Sequence, residues 1–129
     1  MEIKTNFIVV DDDDINNIIC YSAIESIAPN ADIQTFNIPE EGFAYVSKQY
    51  PTSDKITVLF LDINMPSLSG WGFLDQFEKL EENIKKQFQV HMLSSSLDPN
   101  DKRRALANKN VIGFIEKPLT KAILQKMFY

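Results

Sequence analysis

Ile56-Thr57-Val58-Leu59-Phe60-Leu61-Asp62-Ile63-Asn64-Met65-Pro66 is the stretch that decides the fold. It opens on β-branched residues, runs uncharged through Leu61, and stops at a carboxylate. A run without polar alternation is the pattern of a strand covered on both faces, which is how strands inside a parallel sheet read.

Working outward, the same pattern recurs. Phe7-Ile8-Val9-Val10 ends in four aspartates, Asp11 to Asp14. Ile33 to Phe36, Gln89 to Leu93 and Val111 to Ile115 supply three more strand candidates. Helical spacing fills the gaps. Ile15 to Ala28 carries Ile15, Ile18, Ile19, Ala23, Ile24 and Ile27, and Pro29-Asn30 stops it. Gly42 to Tyr50 places Phe43, Val46 and Tyr50 on one stripe and closes at Pro51. Phe73, Leu74, Phe77 and Leu80 form the next stripe, with Glu81/Lys85 and Glu82/Lys86 spaced four apart near its end. Asp98-Pro99 reads as an N-cap followed by proline at the first helical position. Leu119, Ile123 and Met127 begin a last short helix. Strand–helix alternation repeated five times means a doubly wound α/β fold, because parallel strands need crossover connections.

Composition narrows the class. Of 129 residues, 44% are hydrophobic and 24% charged, as in ordinary globular domains. One domain over residues 1–129 is the expectation. The net charge of −5 comes largely from Asp11–Asp14, and no basic stripe suits nucleic acid. A single cysteine, Cys20, rules out an internal disulfide or a cysteine-rich zinc site and reads as a small core residue. No apolar run approaches the roughly 18 residues of a membrane span, and the early aspartates do not fit a signal peptide. An intracellular, cytoplasmic protein with no membrane partner is expected.

In parallel α/β sheets, function gathers at the carboxyl ends of the strands. Asp11 and Asp12 follow the first strand, Asp62 the third, Ser94 the fourth, and Lys117-Pro118 the fifth. Clustered carboxylates repel one another, and a hard divalent cation such as Mg²⁺ relieves that repulsion while keeping positions for phosphate oxygens. A carboxylate can also be a nucleophile and form an aspartyl phosphate, with a nearby lysine offsetting charge on the transferring group. Asp62, ending the most buried strand, is the candidate nucleophile. Ser94 can donate to a phosphoryl oxygen.

Taken together, these segments resemble response-regulator receiver domains of two-component systems. Phe7-Ile8-Val9-Val10-Asp11-Asp12 resembles their acidic-pair signature. Leu61-Asp62-Ile63-Asn64-Met65-Pro66, with Gly70 four residues on, resembles their phosphoacceptor segment. Val90 to Ser95 resembles their switch strand, and Gly113-Phe114-Ile115-Glu116-Lys117-Pro118 their closing strand.

The resemblance implies a flavodoxin-like sheet of strand order 2-1-3-4-5. It implies that Asp62 accepts the phosphoryl group and that Asp11, Asp12, Asp62 and the backbone carbonyl of Asn64 hold Mg²⁺. Lys117 would pair with the phosphoryl group and Asp62. Ser94 and Phe114 would form the switch pair, and Lys117-Pro118 a cis peptide. Phe114 stands where many members carry tyrosine, so a hydroxyl-dependent switch is not available.

The implied partners are a histidine kinase or histidine phosphotransfer protein and a downstream protein target, reached through the helix after the fourth strand, the fifth strand and the last helix. A phosphorylation-dependent homodimer is a further expectation, and no output domain is expected. His91, the only histidine, reads as structural, so the phosphohistidine belongs on another protein. Lys102-Arg103-Arg104 reads as a solvated face. An aspartate-nucleophile phosphatase would want a second aspartate where Asn64 stands. A degenerate binding module would lack one of the acids or the lysine. A flavin-binding relative would not carry an acidic loop after the first strand.

Overall fold

The computed structural model describes residues 5–48, 56–96 and 98–128. The elements are β1 (Thr5–Val10), α1 (Asp14–Ile27), β2 (Ile33–Phe36), α2 (Pro39–Ser47), β3 (Ile56–Asp62), α3 (Gly70–Glu78), α4 (Glu82–Lys85), β4 (Phe88–Ser94), α5 (Pro99–Ala107), β5 (Val111–Glu116) and α6 (Lys121–Phe128). All five strands are parallel, in the order β2-β1-β3-β4-β5. This is the doubly wound, flavodoxin-like sheet expected from the sequence.

The uniform apolarity of β1 and β3 splits cleanly between two cores, because successive strand residues face opposite ways. Ile8, Val10, Leu59, Leu61, Val90 and Met92 meet Val46 of α2 and Phe73, Leu74 and Phe77 of α3. Phe7, Val9, Val58, Phe60, Leu93 and Ile115 meet Cys20 and Ile24 of α1 and Leu124 of α6. Aromatic pairs lock both layers: Phe43 against Phe73 on one, and Phe7 against Phe60 and Phe128 on the other.

Caps fix where the helices start. Asp13 accepts from Ile15 and Asn16 N–H, Ser69 from Gly72 N–H, and Asp98 from Asn100 N–H ahead of Pro99. The Asp98-Pro99 start is as the sequence predicts.

Three local readings differ. In α1, Ile15 and Ile18 are 69% and 68% exposed and Ile19 is also exposed, while Asn16, Asn17, Cys20 and Ile24 face inward. The helix is rotated so that two amides reach the end of β1, and Ile15, Ile18 and Ile19 face water while Ile24 stays in the core. A separate one-turn helix, α4, interrupts the link to β4, so the described residues form six helices, not five. Lys85 there pairs with Glu78 and Glu82, not with Glu81. Finally, the second helix begins at Pro39, earlier than its apolar stripe suggests. The readings on Tyr50 and Pro51 lie outside the described residues.

Candidate functional site

Strand termini build the site. Asp11 directly follows β1, Asp62 is the last residue of β3, Ser94 the last of β4, and Lys117 directly follows β5. Backbone bonds extend the sheet just past these ends: Asp11 N–H donates to Phe36 O at 3.0 Å, Ile63 N–H to Leu93 O at 3.2 Å, and Lys117 N–H to Ser94 O at 2.8 Å. These candidate side chains therefore sit on backbone already held by the ladder.

Lys117 Nζ lies 2.7 Å from Asp11 Oδ2 and 3.0 Å from Asp62 Oδ1. Both carboxylates are buried, Asp11 fully and Asp62 to within 4%. Asp11 is held on every side: its Oδ1 accepts from Asp13 N–H at 2.9 Å, its Oδ2 from Asn16 Nδ2 at 2.6 Å, and its carbonyl from Asn17 Nδ2 at 2.9 Å. Asp12 is exposed and faces open solvent beside this pair.

Burial pushes the Asp62 carboxyl up to about 6, against the lowering contact with Lys117, and the neighbouring Asp11 charge adds to the rise. Burial alone would pull Lys117 down, but its two carboxylate partners outweigh that and hold it above its ordinary value. The result is an acid poised to ionise near neutrality beside a firmly charged ammonium.

Oxygens of Asp11, Asp12 and Asp62 lie within 4.8 Å of one another. An all-carboxylate donor set on rigid strand ends, with one member exposed, suits a hard cation that keeps several waters. Asn64 is exposed just beyond β3.

Ser94 is buried, and its hydroxyl donates to Ser96 O at 2.7 Å while accepting from Ser96 N–H at 3.1 Å. Its hydroxyl bonds run into the loop after β4. Phe114 is half-buried, opposite Met92 in the β4–β5 register, and packs on the α2/α3 core. Lys117-Pro118 is cis.

Asn16 and Asn17 are site residues that the sequence reading missed. The available signal was a pair of amides in the first turns of α1, inside what reads as an isoleucine stripe. His91 is buried in β4, with its ring tilted 33° against Phe60 and no link to the acids. Trp71 is half-buried under the Arg104 guanidinium, 4.3 Å from the ring centroid, so one member of the basic cluster is tied to α3.

The family described as "Response regulator receiver domain" matches residues 7–129. A two-component response regulator from Cytophaga hutchinsonii is 29% identical, with a TM-score of 0.86 over 99% of this chain and 96% of that one. A response regulator receiver protein from Dyadobacter fermentans is 26% identical, with a TM-score of 0.84 over 95% and 94%. A CheX-CheY-BeF3-Mg²⁺ complex from Borrelia burgdorferi includes a chain 25% identical, with a TM-score of 0.75 over 95% and 86%. Comparison with curated proteins finds no match.

Proposed function

The chain belongs to the response regulator receiver domain family, and from that premise we propose that Asp62 is the residue through which it acts as a phosphoacceptor. The observation that carries this is the Lys117 bridge between Asp11 and Asp62, set beside three clustered carboxylates at the carboxyl edge of the sheet.

In the proposed reaction an Asp62 carboxylate oxygen attacks the phosphorus of a phosphohistidine on a kinase or phosphotransfer protein. The P–O bond forms and the P–N bond breaks, leaving its electron pair on the imidazole. The product is an acyl phosphate on Asp62. Lys117 offsets charge on Asp62 and on the arriving phosphoryl oxygens. Asp12, exposed, and Asp62 are the side chains best placed to hold Mg²⁺ directly, with the Asn64 carbonyl. Asp11, already committed to three donors, shapes the site from behind. When bound, Mg²⁺ would neutralise charge on the phosphoryl group.

Ser94 and Phe114 are the proposed switch residues. The Ser94 hydroxyl would exchange Ser96 for a phosphoryl oxygen, and Phe114 would bury further behind it. That change would bias a two-state surface for a protein target. The chain thus acts as a signalling phosphoacceptor that catalyses only its own phosphorylation and dephosphorylation. A cytoplasmic setting fits, and among the described residues no helix is long and apolar enough to cross a membrane.

The test is intact-protein mass after incubation with acetyl phosphate, with and without Mg²⁺, for the natural chain and Asp62→Asn. A phosphate-sized gain that needs Mg²⁺ and is lost in Asp62→Asn is the expected result. An equal gain in Asp62→Asn would remove Asp62 from the role.

A further inference from the structure

A register jump interrupts the pairing of β5 with β4. Val90 lies opposite Val111, but His91 lies opposite Gly113, so Ile112 is an extra residue on β5, and it is exposed. The two cores record the same step. Val111 packs into the core with Leu61 and Phe73, whereas Ile115, four residues on, packs into the core with Phe60 and Cys20. In an unbroken strand, residues four apart share a face.

The step decides where Lys117 points. Phe7, Val9, Val58 and Phe60 face the α1/α6 layer, so by alternation Asp11 and Asp62 face it too. Lys117 lies two residues beyond Ile115 and shares that face, which brings its Nζ to 2.7 Å and 3.0 Å from the two carboxylates. Were β5 to slip into unbroken pairing from Val111, Ile112 would face His91 and Lys117 would turn to the opposite face, away from both acids. What opposes that slip is a close fit. A Cβ at Gly113 would stand 2.4 Å from His91 Nδ1 and 3.1 Å from its Cε1. The imidazole is buried and lies against the Phe60 ring, with centroids 5.6 Å apart, so it cannot retreat toward β3 without displacing Phe60. Glycine fits opposite His91, and isoleucine does not.

We propose that His91 and Gly113 are positioning residues for Lys117: the imidazole, seated in the notch that Gly113 leaves, pins β5 in a register that sets the ammonium beside Asp11 and Asp62. His91 touches neither acid and acts through the strand. The placement of Lys117 stands on this geometry, whereas its effect on phosphorylation rests on the reading of Asp62 above.

The experiment compares the natural full chain, Gly113→Ala, and Gly113→Ala combined with His91→Ala. It reads ¹⁵N-lysine ammonium spectra and the rate of labelling by acetyl phosphate with Mg²⁺. Loss in Lys117→Ala assigns the Lys117 signal. Lys85 is the internal control, since it pairs with Glu78 and Glu82 ahead of β4, at the other end of that strand from the site. Gly113→Ala should lose or shift the Lys117 signal, keep that of Lys85, and slow labelling roughly ten- to hundred-fold. Removing the ring in the double variant frees the space for the new methyl, so the Lys117 signal and the rate should both return. If Gly113→Ala loses both ammonium signals, the double variant decides by the same return. A merely structural role would lower the urea midpoint and leave the Lys117 signal where it was. That result, a Lys117 signal missing from the natural chain, or no recovery in the double variant would overturn the proposal. A natural chain that does not label, with ammonium signals as expected, would sink the phosphoacceptor reading and leave the register pin standing.

Discussion

Asn16 Nδ2 donates to Asp11 Oδ2 at 2.6 Å from the inward face of α1. Both residues are buried, so this bond, together with Lys117, sets the direction of the Asp11 carboxylate. Asn16→Ala leaves that oxygen one donor short. The expected cost is about 1.5–3 kcal/mol of stability, the range for a hydrogen bond to a charged group. Calorimetric Mg²⁺ affinity should fall with it. Unchanged affinity and unchanged urea midpoint would deny Asn16 this positioning role.

Lys117 lowers the Asp62 carboxyl while burial and Asp11 raise it. Lys117→Ala removes the lowering contribution, so Asp62 should titrate above about 6. A carboxyl-carbon NMR titration of the Mg²⁺-free protein reads this directly. Phosphorylation by acetyl phosphate should slow in the same variant. A carboxyl that stays put or moves down would mean that the ion pair does not govern Asp62.

His91 is held neutral: burial lowers it from 6.5 to about 4. The unfolded chain takes up the proton first, so the stability it contributes is complete above pH 6.5 and is lost as pH falls toward 4. The slope is up to about 1.4 kcal/mol per pH unit. Asp62 runs oppositely, because its folded value is raised: its contribution is complete below 3.8 and lost as pH rises through about 6. Urea midpoints for His91→Met should therefore fall less steeply than those of the natural chain between pH 6.5 and 4. Parallel curves would show that His91 does not titrate on unfolding.

Gly70 is needed for close approach. A Cβ there would lie 2.5 Å from the Asp62 carbonyl oxygen and 3.0 Å from Ile63 Cα, and the Gly70 N–H donates to Ile63 O at 2.8 Å. Gly70→Ala should cost about 1–3 kcal/mol, as overpacking does, and displace the loop after Asp62. Thermal denaturation with the acetyl phosphate assay checks both. Natural stability in the variant would mean that the loop gives way freely.

Much of this was legible in the sequence because backbone periodicity and charge speak plainly at strand ends. Val58 to Leu61 cannot sit at a surface, and Asp62, Asp11 and Lys117 are carried to one edge by strand direction alone. The face of α1 was not legible. Hydrophobicity puts Ile15, Ile18 and Ile19 inside, but Asp11 needs donors, and satisfying a buried carboxylate outranks burying isoleucine. The break that makes α4 was hidden for a similar reason. Glu78 accepts from Lys85, Lys109 and Asn110, a tertiary cluster that no spacing of four within one helix reveals.

The Lys117 bridge has a kinetic consequence. In the order β2-β1-β3-β4-β5, two strands separate β1 from β5, and Asp11 and Lys117 stand almost a full chain length apart. Such a contact closes only after the strands between have aligned, because distant pairings bear their loop entropy before they gain anything. Until then the two acids have no counter-charge. Weakening the bridge with Lys117→Ala should accordingly accelerate unfolding in stopped-flow urea jumps while leaving the refolding arm nearly unmoved. Faster unfolding at an unchanged refolding rate would make the ammonium beside the proposed phosphoacceptor a clasp that sets how long the folded sheet lasts.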